Sequence, residues 1–285
     1  MNKKIASLFL LLSIINTSVL FAQKEPTTKP KFTAHNKGKI FLAWGGNRDY
    51  FSDSDIRFQG SGYDFTLSDV ASHDKPKGWH IDYVNPARMT IPQTNFRLGY
   101  FLNDHYSIAF AIDHMKYVMT QNQTVIMNGS INNGLGFDGV YNNVAKKMTE
   151  DFLTFEHTDG LNYIHTEFSR HDDISPIFRL PNTDKFQINI TEGIGGGVLF
   201  PKTNAMLMSQ QRHDEFHVAG YGLSAKAGLN LTFYKYFYLQ GELKTGYINM
   251  PNIQTTHNNT DKASQDFGFF ETLIQIGFIY NFFSK

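Results

Sequence analysis

Cysteine is absent from this chain. That excludes disulfides, thiolate metal sites and a lipoprotein anchor, whose lipid is attached to a Cys. An excess of charge of either sign is missing as well: 26 basic and 26 acidic residues balance to zero. A nucleic-acid binder carries a basic footprint, so nucleic acid is not expected as a partner. Beyond residue 23 there is also no apolar run long enough for a membrane helix. If the chain crosses a membrane, it does so with strands.

What is abundant is aromatic: 26 Phe and 14 Tyr, with 23 Gly. The N-terminus reads Lys3-Lys4, then an apolar run from Ile5 to Phe21, then Ala22. A basic start, an apolar centre and a small residue before the cut define a signal peptide over 1–22. Removing Lys3 and Lys4 leaves the mature chain two charges on the acidic side. Residues 23–37 are rich in Lys, Pro and Thr and read as a disordered periplasmic leader. The rest, 38–285, is expected to be a single barrel domain.

The last segment shows why. From Phe270 the even positions read Phe270, Thr272, Ile274, Ile276, Phe278, Tyr280 and Phe282, and the odd ones Glu271, Leu273, Gln275, Gly277 and Asn281, with Ile279 among them. Alternation this long exceeds a typical soluble strand and suffices to cross a bilayer at a tilt. The same pattern recurs at 237–247 and 221–233, joined by Tyr234-Lys235-Tyr236, and in a hairpin centred on Asn103-Asp104. Weaker strands fall at 39–46, 161–170 and 186–200. In the last, Glu192 shares the apolar face of Ile188 and Ile190, and a bulge at the following glycines is expected to turn it inward.

Connections alternate between long loops (about 49–91 and 120–160) and short turns. That is the habit of outer-membrane barrels, with long external loops and short periplasmic turns. The expected fold is all-β: a closed antiparallel up-and-down transmembrane barrel of eight strands. It becomes ten if the hairpin Ile56-Arg57-Phe58 and Tyr63-Asp64-Phe65 enters the bilayer. Both termini then fall on the periplasmic side, where Tyr100, Phe101, Tyr106, Phe233, Tyr234, Tyr236 and Phe237 form an interfacial girdle.

An eight-stranded barrel is just wide enough to be filled by side chains. The inward faces supply Arg97, Asp113, Glu167, Lys226, Glu242, Lys244 and Glu271, with Gln240 and Gln275. Both signs are present, so they read as an internal salt-bridge plug, or else as a gated ion path or binding site.

The exported, cysteine-free chain, its four hairpins and its aromatic terminal strand (278–283) resemble the small outer-membrane proteins of the OmpA, OmpX and OmpW kind. Segments 19–23 and 195–201 look like those of Bacteroidetes outer-membrane barrels. The resemblance implies residence in a Gram-negative outer membrane and insertion by the assembly machinery there. It also implies contact with outer-membrane lipid and lipopolysaccharide. It implies no single activity, because a fold does not fix function.

Some such barrels are acyl hydrolases carrying His-x-Ser on one strand, where alternation puts base and nucleophile on one face. Here the run is His157-Thr158-Asp159-Gly160. His157 and Asp159 are therefore the catalytic candidates, but Asp159 stands where the nucleophilic Ser is needed. Ser72-His73-Asp74 is a triad only on paper, since consecutive side chains diverge. The histidines show no zinc-like spacing, and Gly193 to Gly197 is followed by no Lys-Ser/Thr, so neither a metal nor a cofactor is expected. Three readings follow. The first is a non-enzymatic barrel, structural or binding a surface ligand through its long loops, where Tyr50, Phe51, Tyr63 and Phe65 sit among polar residues. The second is a narrow channel for small solutes or lipophilic molecules. The third is a hydrolase of lipid A or phospholipid.

Overall fold

The computed structural model describes residues 36–78, 92–210 and 215–281. The expected signal peptide, the leader up to residue 35, part of the first loop (79–91) and the terminal Phe282 and Phe283 lie outside the described residues.

In chain order the strands are β1 (Ile40–Phe51), β2 (Ser54–Gly60), β3 (Tyr63–Val70), β4 (Ser72–Asp74), β5 (Thr94–Phe101), β6 (Tyr106–Met119) and β7 (Thr124–Ile131). There follow β8 (Gly139–Lys147), β9 (Leu153–Asp173), β10 (Phe186–Leu199), β11 (Asn204–Leu207), β12 (Gly220–Phe233), β13 (Phe237–Gln254) and β14 (Lys262–Tyr280). No helix among the described residues is long and apolar enough to cross a membrane.

Eight strands close a ring in the order β1-β5-β6-β9-β10-β12-β13-β14, and β14 pairs back onto β1. Every pairing in the ring is antiparallel, and each strand's neighbour is the next barrel strand in the chain. The topology is therefore up-and-down. The first-loop hairpin stays out of the ring: β2 pairs with the start of β14, and β3 pairs with β7. The ten-stranded alternative is thereby replaced by eight.

Cross-strand partners can be followed around the ring from Tyr50 through Phe270, Thr245, Ala225, Ile194, Phe168, Ile108 and Tyr100 to Ile40. The path returns to β1 ten residues from its start. That stagger tilts eight strands by about 40°.

The barrel is inside out relative to a soluble protein. Leu42, Leu98, Ile194, Leu243, Ile274 and Phe278 are exposed on its outer face, while Arg97, Asp113, Glu167, Lys244 and Glu271 are buried within. Such an outer face is stable only against hydrocarbon, where ring closure leaves no backbone group unpaired. The chain is thus a small transmembrane barrel of outer-membrane type. Its near end is where β1 begins and β14 finishes, Ile40 facing Tyr280. The apolar belt runs from there to the level of Tyr50, Phe270 and Tyr247.

The inward turn expected for Glu192 does not occur. The β10–β12 register is unbroken from Phe186 to Leu199, so no bulge intervenes and Glu192 stays on the outer face between Ile190 and Ile194. Its partner on β9 is Arg170, which also faces out and bonds Asp172 at 2.7 Å. Both lie toward the near end, where a lipid-facing charge costs least. The glycines serve the inward face instead. A Cβ on Gly195 or Gly197 would strike His165, and one on Gly193 would crowd Ser169 and the Lys226 side chain.

Beyond the belt, at the far end, β6, β9, β13 and β14 continue and are joined by β2, β3, β7, β8 and β11. This extension has an ordinary apolar core built on Phe58, Phe65, Phe152 and Phe155, with ring centroids 5.3 to 5.8 Å apart. Burying each such ring contributes about 2–3 kcal/mol. The far end is therefore a packed dome, not a set of loose loops.

Candidate functional site

The lumen is filled in layers. At the near end Phe41, Phe101, Tyr238 and Ile279 form an apolar cluster with Ala43 and Ala109. Strand alternation aims these side chains inward from five barrel strands. Tyr238 needs Gly277 opposite it, because a Cβ there would strike its ring.

Next comes a chain of amides. Asn189 donates to Asn230 (3.3 Å), Asn230 to Gln240 (2.8 Å) and Gln240 to Glu242 (2.7 Å).

Glu242 opens the charged layer at mid-belt. Lys226 Nζ lies 2.9 Å from Glu242 and 2.6 Å from Glu167. Arg97 bridges Glu167 (3.0 Å) and Asp113 (2.7 Å). Lys244 Nζ bonds Asp113 and lies 2.8 Å from Glu167. Glu271 sits 4.0 Å from the same ammonium and accepts hydrogen bonds from Asn47 (2.6 Å) and Asn95 (2.9 Å). All seven charged residues singled out in the sequence thus meet in one connected cage. Three residues complete it, His165, Asn95 and Asn47; none carries a formal charge to mark it in the sequence, and Asn47 falls beyond the strand expected at 39–46.

Asp113, His165 and Glu167 bring one metal-ligating atom each to within 4.8 Å of one another. The Lys244 ammonium, 3.5 Å from His165 Nε2, already stands among them as the cation.

Immediately beyond the cage, Tyr163 stacks on His165 with centroids 3.9 Å apart, and its hydroxyl donates to the Gly222 carbonyl at 3.1 Å. Met115, Leu161, Leu199 and Phe269 continue this cover into the dome core. The space left toward the near end is a cavity of about 30 Å³ lined in part by Arg97, Glu167, Lys226 and His171. That is room for about two water molecules.

His157 and Asp159 do not form a site. The β6–β9 register shifts between Met115 and Tyr117, and Gly160 adopts φ 145° in the widened stretch of β9. His157 turns into the dome, where Nδ1 lies 2.8 Å from Thr203 Oγ1, and burial pushes its pKa down to about 4. Asp159 remains exposed, 3.8 Å from Lys202. In Ser72-His73-Asp74, His73 Nδ1 contacts Thr120 while Asp74 accepts from Gln93 at 2.7 Å, so these side chains diverge.

No protein-family model matches the sequence, and no curated protein is significantly similar to it. Among solved structures the chain is similar to Ail, the attachment invasion locus protein of Yersinia pestis, at 9% identity, over 86% of this chain and 99% of that one, with a TM-score of 0.32. OprG of Pseudomonas aeruginosa gives 10% identity over 87% and 98% of the two chains, with a TM-score of 0.36. Neisserial surface protein A gives 11%, 85% and 97%, with a TM-score of 0.31. Likeness at this level carries no inference about activity, and the barrel assignment stands on this chain's own hydrogen-bonded ring.

Proposed function

We propose that the protein is a closed, non-conducting barrel of a Gram-negative outer membrane. Its role is to hold the rigid far-end dome at the cell surface for structural contact or ligand binding. The observation that carries this reading is the cage of Arg97, Lys226, Lys244, Asp113, Glu167, Glu242 and Glu271, which fills the lumen between the near-end aromatic cluster and the dome core. An ion crossing the lumen would have to separate buried pairs whose partners would each be left uncompensated at a cost of several kcal/mol. In this reading the near end, with both termini and the aromatic girdle, faces the periplasm. The outer face contacts outer-membrane lipid and lipopolysaccharide, and the assembly machinery of that membrane inserts the chain. The Bacteroidetes-type segments at 19–23 and 195–201 extend the same reading to source. The test is single-channel recording in planar bilayers. Purified, folded protein should give no discrete conductance steps, and reproducible steps at neutral pH would favour the narrow channel instead.

A further inference from the structure

On the far side of the cage, β14, β1 and the start of β5 bring five polar side chains to one patch of the lumen. Asp49 and Glu271 are direct cross-strand partners on β1 and β14, and both are buried. Asn47 lies two residues from Asp49 on the same face of β1. Asn95, on β5, is paired with Gly45, and Gln93 is the residue just before β5, where that strand's pairing with β1 ends at Gly46 and Thr94. Asn47, Gln93 and Asn95 are 2%, 0% and 0% exposed.

The hydrogen bonds of this patch run one way. Asn47 and Asn95 each donate Nδ2 to Glu271 Oε1, and Gln93 donates Nε2 to Asp49 Oδ2 at 2.8 Å and to Asp74 Oδ1. Asn95 also donates to Asp113. The amide donors are thereby used on carboxylates and, for Asn47, also on the His114 carbonyl. What they leave is a set of buried oxygens with no hydrogen-bond donor: Asn47 Oδ1, Asp49 Oδ1, Gln93 Oε1, Asn95 Oδ1 and Glu271 Oε2. Like charges directly opposite on paired strands repel. The nearest ammonium to Glu271 Oε2 is Lys244, 4.0 Å away and engaged with Asp113 and Glu167.

A proton shared by Asp49 and Glu271 would satisfy two of these oxygens and none of the three amide oxygens. A hard cation accepts carboxylate and amide oxygens alike as ligands. The donor set is two carboxylates and three amide carbonyls, with no nitrogen or sulfur. That composition suits Ca²⁺, which takes six to eight oxygens in flexible geometry, better than the softer transition metals or octahedral Mg²⁺. We infer that Asp49, Glu271, Asn47, Asn95 and Gln93 form a buried calcium site that ties β14, β1 and β5 together where the barrel passes into the dome.

The experiment uses the full-length protein, refolded in detergent after chelator treatment, with or without added CaCl₂ at constant ionic strength. Bound metal is measured by mass spectrometry after gel filtration, and stability by thermal melting. About one calcium should be retained per barrel. At a hundredfold excess over the dissociation constant the melting temperature should rise by about 5–10 °C. The isosteric Asp49→Asn and Glu271→Gln variants should each lose at least tenfold in affinity and most of the shift. A wild-type barrel that retains no calcium and melts unchanged overturns the assignment, whatever the variants do. So does calcium retained equally by wild type and both variants, which would place the ion elsewhere.

Discussion

Replacing Lys244 by Met tests whether the cage holds the barrel shut or merely fills it. Met keeps the length and apolar stem of Lys but removes the ammonium. Lys244 is 1% exposed and its Nζ touches both Asp113 and Glu167. Those two carboxylates keep Arg97, and Glu167 also keeps Lys226, so neither is stripped of all compensation. The cage nevertheless falls from three cations facing four carboxylates to two. Breaking a buried pair by removing one partner costs roughly 3–5 kcal/mol, and the remaining cations argue for the lower end, about 3 kcal/mol. For a chain of this size that corresponds to a fall in melting temperature of about 6–12 °C. The assay is thermal unfolding in detergent, with urea unfolding in vesicles as a check. Asp113→Asn alone should be comparably harmful. The double variant should recover part of the loss, giving a coupling of about 2 kcal/mol. A Lys244→Met protein within about 0.5 kcal/mol of wild type, or a strictly additive double variant, would refute the idea that these pairs act as a lock.

Two further outcomes separate belt from dome. His157 is buried in the dome with its pKa held near 4, against about 6.5 in an unfolded chain. The unfolded state therefore takes up the proton first, and stability is lost as pH falls from about 6.5 through 4, by up to about 3 kcal/mol. Urea unfolding across that range should show the slope, and His157→Gln should flatten it. Glu192 faces lipid between Ile190 and Ile194. Glu192→Leu should leave stability unchanged or raise it by up to about 2 kcal/mol. A clear loss in vesicle unfolding would mean that Glu192 turns inward after all.

The eight barrel strands were legible because alternation is forced on them twice, by lipid outside and a polar lumen inside. β14 shows it best: Phe270, Ile274, Ile276 and Phe278 on one face, Glu271 and Gln275 on the other. The same rule put Arg97, Glu167, Lys226 and Lys244 inside. It fails at Glu192, because a lipid-facing acid breaks the pattern while the β10–β12 register runs on without a bulge. The dome was hidden for a different reason. Ile56, Phe58, Phe65, Met115 and Phe155 also alternate, but nothing in the sequence tells whether an apolar residue beyond the belt meets lipid, solvent or another strand. Only the pairing of β2 with β14 and β3 with β7 decides that they face inward. Likewise the β9 widening at Gly160, which separates His157 from Asp159, rests on a backbone φ that no spacing announces.

The two cores are arranged as their solvents require. At mid-belt an apolar filling would match the hydrocarbon outside, so burying Leu or Phe there would gain little. Charged and amide side chains do better there, because each must find its partner or remain unsatisfied in a low-dielectric interior. Lys226 facing Lys244 across β12 and β13 is tolerable only when Glu167, Glu242 and Asp113 are all in place, which ties four strands to one register. Beyond the belt, water returns and the ordinary hydrophobic effect takes over, so Phe58, Phe65, Phe152 and Phe155 can hold the dome. The junction between the two regimes is where neither device suffices. There Asp49 faces Glu271 with an orphaned oxygen on each, and the proposed cation would serve carboxylate and amide oxygens alike.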